Sequence, residues 1–257
     1  MSQEPTGQPA RQPVEARPAA TILLVRDDPL EVLMVRRHEK QFFSSALVFP
    51  GGLVDHTDRS ADWHDLVVDD EGLDPERRAL RIAGFRETFE ETGILLARGA
   101  HGDCVAAAAG GASFIETVQA SGGRLHLSDL VPFGHWITPE MSPRRFDSHF
   151  FLCRTAPEQV AQCDGSEAVA LEWATPAAIL DRAAAGETSI LFPTRMNISL
   201  LANSETAAHA LEVARARPVF TVRPRVEKRP GGTAVIIPVE AGYPETENFH
   251  PHPDTAR

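Results

Sequence analysis

The amino-acid sequence predicts an α+β fold in which helices pack on a mixed β-sheet. Three observations support this prediction. Two short β-rich runs, residues 20–25 and 31–35, flank the turn residues Asp27-Asp28-Pro29 and indicate a hairpin. A long segment with helix signals at both ends follows at residues 75–92. Further β-rich runs then alternate with helical segments, a mixture typical of domains that combine a sheet with helices.

The elements are predicted in the following order. A third strand at residues 46–49 ends in the turn Pro50-Gly51-Gly52, and the acidic residues 55–71 form a long loop that holds one helical turn. Pro75 begins a helix that ends at Thr92, because proline favours the first helical turn and Gly93 follows the last one. The remaining predicted elements are a helix at 114–120, strands at 131–137, 148–154 and 168–173, helices at 176–185 and 193–215 with a break near 203, and strands at 219–222 and 233–237.

The composition is that of an ordinary globular protein, with 42% hydrophobic and 24% charged residues among 257. The net charge of −11 and the lack of a basic run argue against nucleic acid as the partner. No apolar run approaches the roughly 20 residues that span a membrane, so no membrane partner is expected. The three cysteines, Cys104, Cys153 and Cys163, form no C-x-x-C pair, which favours a reducing, cytoplasmic location. Cys153 lies in an apolar run and is predicted to be a core residue.

We predict one domain between two tails. Residues 1–18 contain four prolines among polar residues and lack the apolar core of a signal peptide, so we expect a disordered tail. Residues 19–241 form the domain. Residues 242–257 are again rich in proline and polar residues and are expected to form a flexible tail. His250 and His252 in that tail are interpreted as solvated side chains rather than metal ligands.

The segment Arg86–Ile94 carries the clearest chemical signal. At about 100° per residue, the side chains of Glu87, Glu90 and Glu91 fall within about 100° of one another on the predicted helix. Three like charges so close repel each other, and Arg86 is the cation within reach. A hard divalent cation such as Mg²⁺ or Mn²⁺ among the carboxylates explains the pattern. The alternative is an acidic surface turn with Arg86 as a local partner.

This segment, together with Gly51-Gly52 upstream, resembles the Nudix box, G-x5-E-x7-R-E-U-x-E-E-x-G-U, in which U is a bulky apolar residue. Ile94 fills the last U position, whereas Thr88 departs from the first. The resemblance implies a Nudix-type α/β/α sandwich with a mixed sheet. It also implies a diphosphatase that cleaves the phosphoric anhydride bond of a nucleoside diphosphate linked to another moiety, with Mg²⁺ or Mn²⁺ as cofactor.

The same resemblance implies the roles of the box residues. Glu87, Glu90 and Glu91 would be metal ligands, and the backbone carbonyl of Gly52 would lie close to a metal. Arg86 would orient the glutamates.

The spacing of the box departs from the family pattern. Arg86 follows Gly52 by 34 positions instead of fourteen, so about twenty residues are inserted, at about 55–75. Counting forward from Gly52 places Asp58 at the position of the first box glutamate, whereas counting back from Arg86 gives an arginine. Asp55 and Asp58 are both candidates for this acidic role. The alternative is that both are ordinary turn residues.

The insertion makes the chain similar to the Nudix branch that contains the peroxisomal acyl-CoA diphosphatases. The segments Phe49–Asp55 and Trp136–Pro139, followed by residues 144–147, share this similarity, which spans about residues 19–203. It implies CoA or acyl-CoA as the substrate. A broader nucleotide hydrolase acting on ADP-ribose or dinucleoside polyphosphates stays open. So do a non-catalytic Nudix-fold binding module and a structural metal site.

Several further residues are candidates for the site. Glu87, or alternatively Glu167, would accept the proton of the attacking water. Four arginines are candidates for binding the phosphates of the substrate: Arg37, Arg144, Arg145 and Arg195. The alternative is a surface ion pair for the first three and an ordinary surface position for Arg195. Arg195 lies at a predicted helix N-terminus, a favourable position for an anion. The partner is expected to be a nucleoside-diphosphate-linked small molecule. The oligomeric state is open, with a homodimer as one alternative.

Overall fold

A computed structural model of the protein describes residues 14–37, 46–102, 104, 110–156, 159–162 and 168–252. These residues contain five α-helices: α1 Pro75–Thr92, α2 Phe114–Ser121, α3 Pro176–Ala184, α4 Phe192–Leu201 and α5 Ala207–Ala216. The first seven strands are β1 Arg17–Arg26, β2 Glu31–Arg37, β3 Ala46–Val48, β4 Gly51–Leu53, β5 Val67–Val68, β6 Leu125–His126 and β7 Val131–Ile137. The other seven are β8 Phe146–Arg154, β9 Ala168–Ala174, β10 Ser189–Ile190, β11 Thr221–Val222, β12 Arg225–Arg229, β13 Gly232–Ile236 and β14 Glu247–Pro251.

Nine of the described strands form one mixed sheet. Its main path is β10-β3-β2-β1-β8-β7-β11, while β4 pairs with β1 and β9 pairs with β2. Strand β1 runs antiparallel to β2 and to β4 but parallel to β8. The predicted α+β class with a mixed sheet is therefore confirmed.

Strand β1 lies at the centre of the sheet and is covered on both faces. Ala20, Ile22 and Leu24 pack into a core with side chains of α1 and α2. Leu23 and Val25 point the other way and pack with side chains of α4 and α5. Because both faces are buried, β1 has an unbroken apolar run from Ile22 to Val25 instead of alternating with polar residues. The helices on both faces complete the predicted α/β/α sandwich.

Helix α1 has the limits that its sequence predicts. Asp74 caps the N-terminus by accepting a hydrogen bond from the amide of Arg77, and Pro75 occupies the first turn. Gly93 ends the helix in the left-handed conformation, with φ of 69°. One face of α1 packs into the core through apolar side chains that include Ile82, Phe85 and Phe89.

Two segments before α1 differ from the prediction. Gly51-Gly52 form strand β4 rather than a turn, because their backbones pair with Thr21 and Ala20 of β1. The expected loop at 55–71 contains two 3₁₀ turns, Thr57–Arg59 and Ala61–Trp63, followed by β5. Trp63 is buried and contacts Phe114 of α2, so the inserted segment is anchored in the core.

Described strands are also found outside residues 19–241, the limits predicted for the domain. Strand β1 begins at Arg17, and residues 247–251 of the expected C-terminal tail form β14, which pairs with β13. The Tyr243 hydroxyl donates to Asn197 Oδ1 and accepts from Trp136 Nε1, both at 3.0 Å, and so holds this region against the main sheet. Backbone pairing, rather than an apolar pattern, stabilises β14, which is why the sequence did not predict it.

Cys153 is 2% exposed and lies in the core beneath α1, which confirms its predicted interior position. Cys104 is partly exposed, and Cys163 lies outside the described residues. In the part of the chain that the structure describes, no helix has the length and hydropathy needed to cross a membrane.

Candidate active site

Arg86 of α1 and Asp58 of the inserted segment form a buried ion pair at the bottom of the site. The guanidinium Nε and Nη2 donate to Asp58 Oδ1 and Oδ2 at 2.9 and 3.0 Å. Asp58 has no solvent-exposed surface, and its Oδ2 also accepts from the amide of Asp55 at 2.8 Å. Asp58 therefore contacts the box arginine directly, and its role as the acid that replaces the first box glutamate stays a prediction.

The rest of the Arg86 guanidinium holds two carboxylates of the same helix. Its Nη1 donates to Glu87 Oε1 and to Glu90 Oε2, each at 2.8 Å, and Nη2 donates to the carbonyl of Leu53 at 2.9 Å. Burial disfavours the charge of Arg86, but the hydrogen bonds with Asp58 and the charges of Glu87 and Glu90 outweigh it and raise the pKa of Arg86. Arg86 thus stays charged and has the contacts of the predicted orienting residue.

Glu91 is held by the backbone of β4. It is 4% exposed, and its Oε2 accepts a hydrogen bond from the amide of Gly51 at 3.0 Å. Gly51 has a φ of 151°, and a Cβ there would lie 2.4 Å from the carbonyl oxygen of Ala20. Only glycine therefore lets β4 lie this close to β1 while its amide reaches Glu91.

Gly52 packs directly against the carboxylate of Glu87. A Cβ at this position would lie 2.4 Å from Glu87 Oε2, so any side chain would displace the carboxylate or fill the space beside it. The possible metal ligands gathered here are the three carboxylates of α1, which offer oxygen atoms. This set fits a hard divalent cation such as Mg²⁺ or Mn²⁺.

The three glutamates differ in their exposure to solvent. Glu91 is buried, the Glu87 side chain is 15% exposed, and the Glu90 side chain is 49% exposed. Glu87 and Glu90 border an open cleft of about 360 Å³. The cleft is lined by Arg17, Leu53, Val54, Asp55, Thr57, Arg86, Glu87 and Glu90.

Arg17 is a charged residue of the cleft that sequence reasoning missed. It lies at the start of β1, in a segment that was assigned to the N-terminal tail, and no local motif marks it. Its place in the cleft depends on the pairing of β1 with β4, which the local sequence does not specify.

Asp55, the other candidate acid, has a different environment from Asp58. Its Oδ1 accepts from the amide and the hydroxyl of Thr57 at 2.9 and 2.8 Å. These hydrogen bonds hold the pKa of Asp55 well below its usual range. Asp55 lies at the edge of the cleft and stabilises the turn that carries Asp58.

Three of the four predicted phosphate-binding arginines lie elsewhere. Arg145 donates to the carbonyls of Thr138 and Val14, at 3.1 and 2.7 Å, and so fixes the chain before β1. Arg195 pairs with Glu245 at 2.9 Å and also donates to Asn248 Oδ1 at 3.1 Å. Arg144 is exposed in the turn before β8. None of these three lines the cleft, and Arg145 and Arg195 make structural contacts instead.

The remaining predicted residues are not covered. Glu167 lies outside the described residues, and of Arg37 only the backbone, at the end of β2, is described. Their roles stay predictions.

Comparison with known proteins supports the similarity that the box suggested. The family model described as the NUDT19 Nudix domain matches residues 69–201. The chain is 29% identical over 181 residues to putative nudix hydrolase 7 of Caenorhabditis elegans, which covers 68% of this chain. It is 27% identical over 246 residues to the human acyl-coenzyme A diphosphatase NUDT19, which covers 73% of this chain. The chain spans 56% and 65% of the lengths of these two relatives.

A solved structure shows the same fold. The crystal structure of a Nudix hydrolase from Alicyclobacillus acidocaldarius matches with a TM-score of 0.64 and 29% identity, over 82% of this chain and 99% of that one. The family model covers more than half of the chain and includes Arg86 and the three glutamates of α1. The chain therefore belongs to the Nudix hydrolase superfamily, within the group defined by the NUDT19 Nudix domain.

Proposed function

We propose that this chain is a metal-dependent pyrophosphohydrolase that cleaves a nucleoside-diphosphate-linked small molecule, with CoA or acyl-CoA as the substrate. One observation carries the proposal: Arg86 and the amide of Gly51 hold the carboxylates of Glu87, Glu90 and Glu91, and two of these, Glu87 and Glu90, line an open cleft. Membership of a hydrolase superfamily supports the reaction class. The naming of several relatives as acyl-coenzyme A diphosphatases supports the substrate.

The cleft needs positive charge to receive a diphosphate. The chain carries a net charge of −11, and the carboxylates of Asp55, Glu87 and Glu90 line the cleft. Glu87, Glu90, Glu91 and the carbonyl of Gly52 would hold Mg²⁺ or Mn²⁺, which prefer oxygen ligands and suit phosphate chemistry. When bound, the ion neutralises phosphate charge and lowers the pKa of water.

The role of Arg86 is to fix the carboxylates before the substrate arrives. Its two bonds to Asp58 hold the guanidinium plane, and its Nη1 sets the positions of Glu87 and Glu90. Such preorganisation avoids reorganisation during the reaction. Arg17, at the start of β1, also lines the cleft and would attract a phosphate of the substrate.

The reaction transfers a phosphoryl group to water. The water oxygen forms a bond to phosphorus, the bond from phosphorus to the bridging oxygen breaks, and the leaving phosphate keeps the electron pair. The water proton passes to a carboxylate, for which we propose Glu87, because it is less exposed than Glu90 and lies at the inner side of the cleft. Glu167 is the second candidate.

A cytoplasmic location and a homodimer stay predictions.

A substrate panel tests this proposal. The purified chain is incubated with CoA, acyl-CoAs, NADH, ADP-ribose and diadenosine polyphosphates in the presence of Mg²⁺ or Mn²⁺, and the products are separated by chromatography. We expect CoA or acyl-CoA to yield the adenosine bisphosphate half and 4′-phosphopantetheine or its acyl form. Cleavage of only ADP-ribose or dinucleoside polyphosphates would contradict the CoA assignment. Absence of turnover on every compound would favour a binding module.

A further inference from the structure

A second cluster of polar side chains lies on strands β7 and β8, outside the cleft. It consists of His135, Asp147 and His149, none of which lines the cleft. His135 and His149 are directly opposite each other in the antiparallel pair of β7 and β8. Asp147 precedes His149 by two residues, so both side chains project from the same face of the sheet. Phe151, the next residue on that face, packs into the core beneath α1.

The polar atoms of the cluster converge. His135 Nε2 lies 2.5 Å from Asp147 Oδ1, and His149 Nε2 lies 3.4 Å from the same oxygen. The two imidazole rings stack with centroids 4.0 Å apart and an angle of 21° between their planes. One ligand atom from each of the three residues lies within 4.8 Å of the others. A single cation placed between them would therefore reach all three.

The opposite nitrogen of His135 has its own partner. Nδ1 lies 2.8 Å from the hydroxyl of Thr221 in β11. Histidines that bind a metal through one nitrogen commonly donate the other N–H to a neighbouring oxygen, which fixes the ring and its tautomer. Thr221 is positioned to accept such a bond. The arrangement thus includes an outer contact as well as the ligands.

The donor set selects the kind of cation. Two imidazoles and one carboxylate suit a borderline transition ion such as Zn²⁺, whereas Mg²⁺ prefers oxygen ligands alone. The cluster has one formal negative charge, and the cationic Arg81 lies nearby, over the ring of Phe151 at 5.2 Å. A cation that binds mainly through its charge would therefore bind weakly here. A cation that forms strong bonds to imidazole nitrogen would bind more tightly.

We propose that His135, Asp147 and His149 form a second metal site, for Zn²⁺ or a similar transition ion, distinct from the carboxylate site of α1. The side chains are 18%, 33% and 28% exposed, so the ion can enter from solvent and water can complete its coordination. The bound ion links β7 to β8 and, through Thr221, supports the contact with β11. The site does not depend on the proposed hydrolase activity.

Zinc binding to the untagged full chain tests the proposal. Zn²⁺ uptake is measured by equilibrium dialysis and metal analysis at saturating Mg²⁺, which occupies the carboxylate site. We expect one Zn²⁺ per wild-type chain. His149→Gln removes a ligand and should weaken binding by more than roughly 100-fold, whereas Thr221→Val removes only the outer contact and should weaken it roughly tenfold.

Two control variants separate this site from other ligands in the chain. Glu90→Gln alters the carboxylate site, and His250→Gln removes an exposed imidazole of β14; both should keep wild-type Zn²⁺ affinity. Co²⁺ provides a spectroscopic check, because imidazole ligation should give visible absorption bands in the wild type. If His149→Gln does not fold, Thr221→Val and the wild-type Co²⁺ spectrum still decide the question.

The outcomes that overturn the proposal are specific. Absence of Zn²⁺ uptake by the wild type at saturating Mg²⁺ would do so. Wild-type affinity in His149→Gln, or loss of uptake in Glu90→Gln, would place the ion elsewhere. Either result would leave the cluster as a hydrogen-bonded contact between two strands.

Discussion

Arg86 and Asp58 are joined by two parallel hydrogen bonds across 28 positions of the sequence, and Asp58 is completely buried. The segment that separates the two halves of the box therefore returns an acid to the box arginine. Arg86 uses its other nitrogen to hold Glu87 and Glu90. The inserted residues thus support the carboxylate site instead of interrupting it.

Asp58→Asn should destabilise the protein and reduce its activity. The amide would place a donor against Arg86 or the amide of Asp55, where the carboxylate now accepts from both. Breaking a buried pair costs about 3 to 5 kcal/mol, and we expect the lower end, because Glu87 and Glu90 still neutralise Arg86. Urea unfolding gives the stability, and kcat gives the activity.

Asp55→Asn is the matched control for that substitution. The Asp55 side chain is 48% exposed and bonds within its own turn, so we expect a loss of about 1 kcal/mol and near-normal kcat. Equal effects of the two substitutions on stability and kcat would contradict the assignment of Asp58 as the acid that holds Arg86 in place.

Glu90→Gln should lower kcat by about 100-fold or more with little change in stability. The substitution removes the charge of a proposed metal ligand, but the side chain is half exposed. Glu76→Gln is the control. Glu76 lies on the same helix, has a side chain that is 63% exposed, and pairs with Arg59 away from the cleft, so the kcat of this variant should match that of the wild type. Rates measured at several Mg²⁺ concentrations check both expectations. Equal rates of Glu90→Gln and the wild type would contradict the role of Glu90 as a metal ligand.

Gly52→Ala should reduce activity through the position of Glu87. The added methyl would lie 2.4 Å from Glu87 Oε2, and relieving this overlap costs about 1 to 3 kcal/mol. Gly72→Ala is the control: its backbone has a φ of 79° and nothing lies near the added methyl. That control should lose about 1 kcal/mol of stability yet keep its kcat. A Gly52→Ala variant with normal kcat would contradict the close packing of β4 against α1.

Cys153 should make the protein less stable at alkaline pH. Burial raises the pKa of its thiol from 9.0 to about 12. Between these values the unfolded chain loses the thiol proton while the folded chain keeps it. The thiol's contribution is therefore complete below pH 9 and decreases by roughly 1.4 kcal/mol per pH unit above it. Comparing urea unfolding of wild type and Cys153→Ala from pH 8 to 11 checks this, and parallel pH profiles would contradict it.

The sequence predicted those parts of the site that local signals specify. The proline and glycine at its ends set the limits of α1, and its periodicity placed the three glutamates together. Gly52 and Arg86 were recognised from the box pattern. The choice between Asp55 and Asp58 stayed open, because it depends on how the inserted segment folds, and the 3₁₀ turn at Thr57–Arg59 settles which carboxylate faces Arg86.

Other parts of the site depend on strand pairing, which short-range patterns do not reveal. Arg17 reaches the cleft because β1 pairs with β4. His135 and His149 meet only through the register of β7 and β8. Strand register is also why Arg145 contacts backbone carbonyls instead of the carboxylates.

The most direct test of the carboxylate site is product formation from CoA, followed by chromatography with wild type and Glu90→Gln side by side. With Mg²⁺, the wild type should produce the adenosine bisphosphate half and 4′-phosphopantetheine in equal amounts, and a chelator should stop the reaction. Glu90→Gln should form the same products about 100-fold more slowly or not at all. Equal rates in the two proteins, or a wild-type rate unaffected by the chelator, would contradict a metal-dependent reaction at these glutamates.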